Sequence, residues 1–393
     1  MAMFPLESMN RRSFLRVGGV ATAVAGAAAC APAAAPPSSP ASGGAAPAPA
    51  EKAAWEKQWD DLVAAAKKEG ALVLVTNLGP GFKDAAAAFE KAFPGVSVEL
   101  ITQLASSFAP KAVQERQAGV YSYDVTTQPN GTVPLTLIPA GAMDPIRPLL
   151  VRPDVLDDKS WQGGFEAGFP DKDKKWGYAA FQEVHRAVWI NTDLIKEGEI
   201  KSFDDLLNPK WKGKIVGGDP RTYGGGWWPG TTMRLKRNDD SLIKRLFKDQ
   251  EVAISRDGRQ QIEFLIRGSY SIGILASTAS LLPEFLAQGV GKNIKWVPMD
   301  EMDNLNGGIS VAFVFNRAPH PNAAKLFVNW LFTKEGSTIW SKAAGTNSRR
   351  ADVPPHDLQL VPTPGRRLIA IDRDEFADEW RKTQELAKQL LGL

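Results

Sequence analysis

Cysteine and histidine are nearly missing from this chain of 393 residues, which has one cysteine, Cys30, and three histidines. A disulfide framework is excluded, because it needs paired cysteines. Glu183 and His185 alternate and would share one face of a strand, but two ligands do not make a metal site. His320 and His356 fall in Pro-rich turns, where surface roles are expected. Neither a metal nor a cofactor is expected. Strong charge of one sign is also lacking, with 47 basic residues against 44 acidic ones and a net charge of +3. No arginine- or lysine-dense stripe interleaved with aromatics occurs, which argues against nucleic acid as a partner. The uncharged run Val17–Ala29 falls short of the roughly 20 apolar residues that span a bilayer. The G-x-S-x-G elbow, the H-E-x-x-H helix and the P-loop are all absent. Gly224, Gly225 and Gly226 form no dinucleotide fingerprint either, since Pro229 stands where a further glycine belongs. The chain is expected not to be an enzyme.

What is present begins with an export pattern. Arg11-Arg12 is followed by Phe14-Leu15 and Arg16, then by the Ala/Gly/Val-rich run to Ala29. This resembles the signal read by the twin-arginine route, which carries folded proteins across a membrane. The run ends in Ala27-Ala28-Ala29-Cys30, and small residues before a lone cysteine resemble a bacterial lipoprotein signal, although Ala27 stands where leucine is usual. Acylation of Cys30 would remove the liability of an unpaired thiol in an exported protein. Residues 31–50 are almost entirely Ala, Pro, Ser and Gly and cannot bury enough apolar surface to order themselves. They read as a tether to the membrane, with the globular body outside the cytoplasm, at the cell surface or in the periplasm.

From Trp55 the periodicity changes. Trp55, Trp59, Leu62, Val63 and Ala66 recur at helical spacing, and Gly70 supplies a C-terminal cap. Ala71–Thr76 reads as a buried strand, Phe82–Phe93 as a helix, Val96–Leu100 as a strand, Phe108–Ala118 as a helix and Asp124–Thr127 as a strand. Such alternation predicts a parallel α/β sheet. Further along, Tyr178–Ile190 reads as one long strand, Lys214–Gly217, Ser271–Leu275 and Ile309–Phe315 as strands, and Asp374–Leu391 as the last helix.

Several stretches, in order, resemble the extracellular solute-binding proteins of ABC importers, in the ferric-iron-type branch. They are Trp59–Val75, Phe89–Leu100, Trp189–Leu194, Asn208–Ile215 with Asp219-Pro220-Arg221, and Pro321–Gly336. The resemblance implies a two-lobed α/β "Venus flytrap" with two hinge-crossing strands, near Ala180–Arg186 and Asn306–Val311. Residues 1–29 would be the export signal and 30–54 the lipidated cysteine and tether. Residues 55–180 and 308–393 would form a discontinuous first lobe, and 181–307 the second. It further implies a monomer that carries a small solute to an ABC permease in the membrane. A lipoprotein sensor serving a receptor, and a ferric-iron carrier, are the alternatives.

Ligands of open α/β sheets sit outside the carboxyl ends of the strands. The candidates there are Asn77 after the first strand, Ser106 and Ser107 before a helix, and Gln128 and Asn130 after the third strand. Glu183 lies on the presumed hinge. Arg221, Tyr223, Trp227 and Trp228 surround the three glycines, with Arg221 free to pair with a carboxylate unless Asp219 takes it. Iron-binding relatives carry adjacent tyrosines just beyond a Gly-x-Tyr-x-x-Gly segment. Here that segment is Gly268–Gly273, and the loop Ala276–Ser280 offers Ser277 and Thr278 instead. An organic ligand with an acidic group near Arg221, stacked on Trp227 or Trp228, is therefore expected.

Overall fold

The computed structural model describes residues 54–393 except 78, 80, 132, 223–226, 275–277, 307–309, 364 and 393. The export signal, Cys30 and the tether lie outside the described residues, as do Tyr223 and Ser277.

The strands in chain order begin with β1 (Ala71–Thr76), β2 (Ser97–Thr102), β3 (Val125–Gln128), β4 (Met143–Asp144) and β5 (Gly177–Ala179). Next come β6 (Phe181–His185), β7 (Val188–Asn191), β8 (Ile215–Gly218), β9 (Ala253–Ser255) and β10 (Ile272–Ile274). The last are β11 (Ile294–Val297), β12 (Asn304–Asn306), β13 (Val311–Phe315) and β14 (Asn347–Ser348). They form two main sheets and a small one. The first runs β2-β1-β3-β13-β4, with β5 also on β13; β1 pairs in parallel with β2 and β3, and β13 runs antiparallel. The second runs β11-β7-β10-β8-β9, with β8, β9 and β10 parallel.

Alternation along each strand explains why both faces of these sheets are covered. Leu72 and Leu74 of β1 join one core with Ala312 and Val314, whereas Val73 and Val75 join a second with Phe313 and Phe315. In the other sheet Ile190, Ile215 and Ile272 face one core, and Trp189 and Val216 face another. Helix Ala54–Glu69 stops where expected: Gly70 takes φ +76°, open to glycine, and its N–H returns to the Ala66 carbonyl. Gly177 of β5 lies so close to Phe313 that any Cβ there would collide with the ring.

The expected long strand from Tyr178 to Ile190 is in fact three. β5 belongs to the first sheet, β7 to the second, and β6 between them pairs with β12 and β14. Periodicity alone cannot separate one extended run from three pieces serving three sheets. β12 returns the chain beside β6, with Asn306 opposite Glu183 and Asn304 opposite His185. These are the two crossing strands.

A third segment also crosses. The Leu305 N–H donates to the Ile369 carbonyl, and Arg373 donates to the carbonyls of Ala167 and Phe169 beside the first sheet. Ile371 is buried in the second sheet's core. The last helix, Ala377–Leu391, packs in the second sheet's core, whereas the expectation assigned 308–393 to the first lobe. Trp380 and Ala387 are buried with Leu242, Ile243 and Phe247, and Arg234 pairs with Glu379 at 2.9 Å. Its apolar face matches the core around β7, β8 and β10, so packing rather than chain order places it.

Candidate functional site

Parallel strands put several carboxyl ends on one edge of each sheet. In the first, β1, β2 and β3 lead to helices Phe82–Ala92 and Ala105–Gln117 and to the helical turn Val133–Leu137. In the second, β8, β9 and β10 lead to helices Trp227–Arg237, Gly258–Ile266 and Thr278–Ala287.

At the first edge the polar groups converge on β3. Gln128 is fully buried and its Nε2 donates to the Gln103 carbonyl at 2.9 Å. Asn130 is also buried, and its Nδ2 donates to the Asp372 carbonyl at 2.5 Å and to Asp374 Oδ1 at 3.4 Å. Burial and the nearby Asp171 charge push the Asp374 carboxyl up to about 6. The opposite ends of both amides, Gln128 Oε1 and Asn130 Oδ1, have no partner among the described residues, nor do the hydroxyls of Thr126, Thr127 and Ser310. Val311 lies opposite Gln128, so Ser310 falls at the same end of the sheet. Each buried polar group left unpaired costs about 1–3 kcal/mol, so such a concentration marks a place completed by something else. Asn77 is half-buried there, and its carbonyl accepts from the Thr76 hydroxyl. Ser107 is exposed on helix Ala105–Gln117, whose N-cap is Leu104. Ser106 lies on the same helix, with its side chain outside the description.

At the second edge Arg221 takes the internal pairing with Asp219. Its Nε and Nη2 donate to the two carboxylate oxygens of Asp219 at 2.8 and 3.0 Å, and its Nη1 donates to the Gly392 carbonyl. Asp219 is completely buried. Burial alone would raise its carboxyl, but hydrogen bonds from Arg221 and Arg256 hold it below the ordinary value. The fork that would have clasped a ligand carboxylate is thus spent within the protein. Trp227 and Trp228 open helix Trp227–Arg237, with side chains outside the description. Thr278 opens helix Thr278–Ala287, fully buried, its hydroxyl without a partner among the described residues.

Glu183 is not at either edge. It is buried on β6, and burial pushes its carboxyl up to about 8, against the pull of Arg186 and the Thr346 hydroxyl. Arg186 lies over the rings of Trp189 and Trp296 and pairs with Asp357 at 3.7 Å. These residues belong to the crossing region. No group of three potential metal-ligating side chains gathers among the described residues.

A family model for bacterial extracellular solute-binding proteins matches residues 74–338. The chain belongs to this family. Its members carry solutes for ABC transporters and are not enzymes. Among solved structures, iron-bound HitA from Pseudomonas aeruginosa is similar at 17% identity and TM-score 0.61, over 82% of this chain and 99% of that one. AfuA from Actinobacillus pleuropneumoniae, with fructose-6-phosphate bound, is similar at 18% and 0.60, again over 82% and 99%. The spermidine/putrescine transporter's substrate-binding protein PotD from Streptococcus pneumoniae is similar at 14% and 0.58, over 81% and 99%. At these identities the likeness establishes the two-lobed periplasmic-binding-protein fold. A sequence search of curated proteins finds no match. No helix among the described residues is long and apolar enough to cross a membrane.

Within this solute-binding fold, sequence reasoning missed Ser310 and Arg256. Arg256 follows β9 and donates its Nε to Asp219 at 2.9 Å, with a side chain 69% exposed. Its position, between a strand and helix Gly258–Ile266, is the same strand-to-helix signal that singled out Asn77 and Gln128. Ser310 was hidden because it reads as part of the strand Ile309–Phe315.

Proposed function

We propose that this protein captures a small organic solute between two lobes and hands it to an ABC permease. The first lobe would comprise 55–180 and 308–360, the second 181–307 with the last helix, and acylated Cys30 would hold both at the membrane. The observation that carries this reading is the group of buried polar atoms at the strand ends, on Thr127, Gln128, Asn130, Ser310 and Thr278, that have no partner among the described residues. Neutral amides and hydroxyls suit an organic molecule better than ferric iron, whose binding calls for phenolates and carboxylates. Tyr270, the tyrosine of the Gly-x-Tyr-x-x-Gly segment, instead packs edge-on against Phe264 at 5.7 Å.

Native mass spectrometry of the protein isolated from its own cells tests this directly: an organic adduct is expected. Tight ferric binding with a visible phenolate-to-iron charge-transfer band would overturn the reading. Anchoring has its own test. Cys30→Ser should move the protein out of the membrane fraction; a wild-type protein that is already soluble would refute the lipid anchor.

A further inference from the structure

We infer that the first lobe meets its ligand as a hydrogen-bond acceptor, so that the ligand presents N–H or O–H donors there, as an amine or a polyol does and a carboxylate or phosphate does not. The inference rests on the proposed solute capture and adds the chemical class.

Two side-chain amides have a fixed orientation. An amide side chain can usually be turned over, exchanging its oxygen and nitrogen. Here the exchange is blocked. Gln128 Nε2 faces the Gln103 carbonyl, and Asn130 Nδ2 faces the Asp372 carbonyl and a carboxylate oxygen of Asp374. A backbone carbonyl only accepts hydrogen bonds. Turning either amide over would set oxygen against oxygen. The free ends are therefore Gln128 Oε1 and Asn130 Oδ1, both acceptors, both buried and both without a partner among the described residues. At the same edge of the sheet the hydroxyls of Thr127 and Ser310 can donate or accept, so they impose no opposing demand.

Charge points the same way. Asp171 and Asp374 interact electrostatically beside Asn130, with Lys172 and Arg373 acting in opposition. Arg373 directs its Nη1 and Nη2 at the carbonyls of Ala167 and Phe169 and lies 3.6 Å from Glu375. No guanidinium is therefore turned to the amide oxygens among the contacts described. An incoming carboxylate would face two amide oxygens and gain no donor from either, whereas an ammonium or hydroxyl group satisfies both. The arginine that would have favoured an acid, Arg221, is committed to Asp219 in the other lobe.

The test uses the whole exported chain, freed of bound solute by mild unfolding and refolding. Thermal melting and calorimetric titration are run with putrescine, spermidine, sorbitol and myo-inositol, and with succinate, citrate and inorganic phosphate. Binding is expected from at least one member of the first set and none of the second. Thr127→Val, which keeps the shape and removes a hydroxyl, and Gln128→Met should each weaken that binding about tenfold, the worth of one hydrogen bond. Thr127→Val is expected to melt like the wild type, so its loss of affinity cannot be a folding defect. Binding of acids alone would overturn the acceptor inference and leave solute capture standing. Binding of neither set would mean that these acceptors hold only water, and would overturn both.

Discussion

Glu183 shows how a single buried carboxyl ties the crossing region to pH. Its folded value, about 8, lies above its ordinary 4.5 because burial penalises the charge. In the unfolded chain it ionises near the ordinary value, so between these two limits the unfolded state has lost a proton that the folded state retains. Stability from this group is therefore complete below about pH 4.5. It falls as pH rises towards 8, by at most about 1.4 kcal/mol per unit, and is flat beyond. Glu183→Gln should flatten the decline of the melting temperature between pH 5 and 8 and melt above the wild type at pH 8. Identical slopes would mean the carboxyl is ionised in the folded protein. None of this could be read from the sequence, where Glu183 is one of several acids on strands. Arg221 teaches the complementary lesson. Its spacing from Asp219 allowed both an internal pair and a ligand pair, and only the complete burial of Asp219 decides between them. A buried carboxylate must be paired, so the nearest guanidinium is taken. Gln128 and Asn130 drew notice because polar side chains in excess of what a turn requires stand at a strand end, and both prove to be buried.

Elements were legible where a strong period ran between clear stops. Helix Ala54–Glu69 ends at Gly70, and helix Phe82–Ala92 buries Phe82, Ala86 and Phe89 on one face. The reading failed where tertiary partners, not local pattern, define an element. The run from Tyr178 to Ile190 is extended throughout, yet Ala180 and the pair Arg186-Ala187 fall between strands that belong to different sheets. Ala187 donates its N–H to Asp303, a contact 116 residues away in the chain that no local signal announces. The last helix failed similarly: its face was predictable, its partner was not. Trp380 makes the test sharp. It is buried in the second sheet's core and donates its indole N–H to the Ile371 carbonyl at 2.5 Å. Trp380→Ala should cost about 3–5 kcal/mol in denaturant unfolding, and hydrogen exchange should quicken in helix Trp227–Arg237, which packs on it, and not in helix Pro321–Leu331. Quickening confined to Pro321–Leu331 would return the last helix to the first lobe.

At the scale of the whole molecule, three crossings lie among the described residues, and their unequal construction determines how it should move. β6 and β12 are short, three to five residues each, and pair with each other, so small changes in their backbone angles rotate one sheet against the other. The third crossing is a strap tied at both ends. Arg373 donates to the Ala167 and Phe169 carbonyls, and the Asp374 N–H donates to the Pro170 carbonyl on the first-lobe side. Two residues from Arg373, Ile371 is buried in the second core. A strap fixed so close to both bodies restrains their separation more than their rotation. Ligand should therefore close the molecule by rotation, and small-angle scattering should record a smaller radius of gyration with whichever probe raises the melting temperature, at constant molecular mass. Arg373→Ala removes two hydrogen bonds from the first-lobe anchor while leaving the second core intact. It should enlarge the unliganded form and broaden its distribution of sizes, yet the liganded form should reach the wild-type radius, because ligand contacts then hold the lobes together. A variant that is unchanged without ligand, or that never closes with it, would show that the strap does not limit the opening.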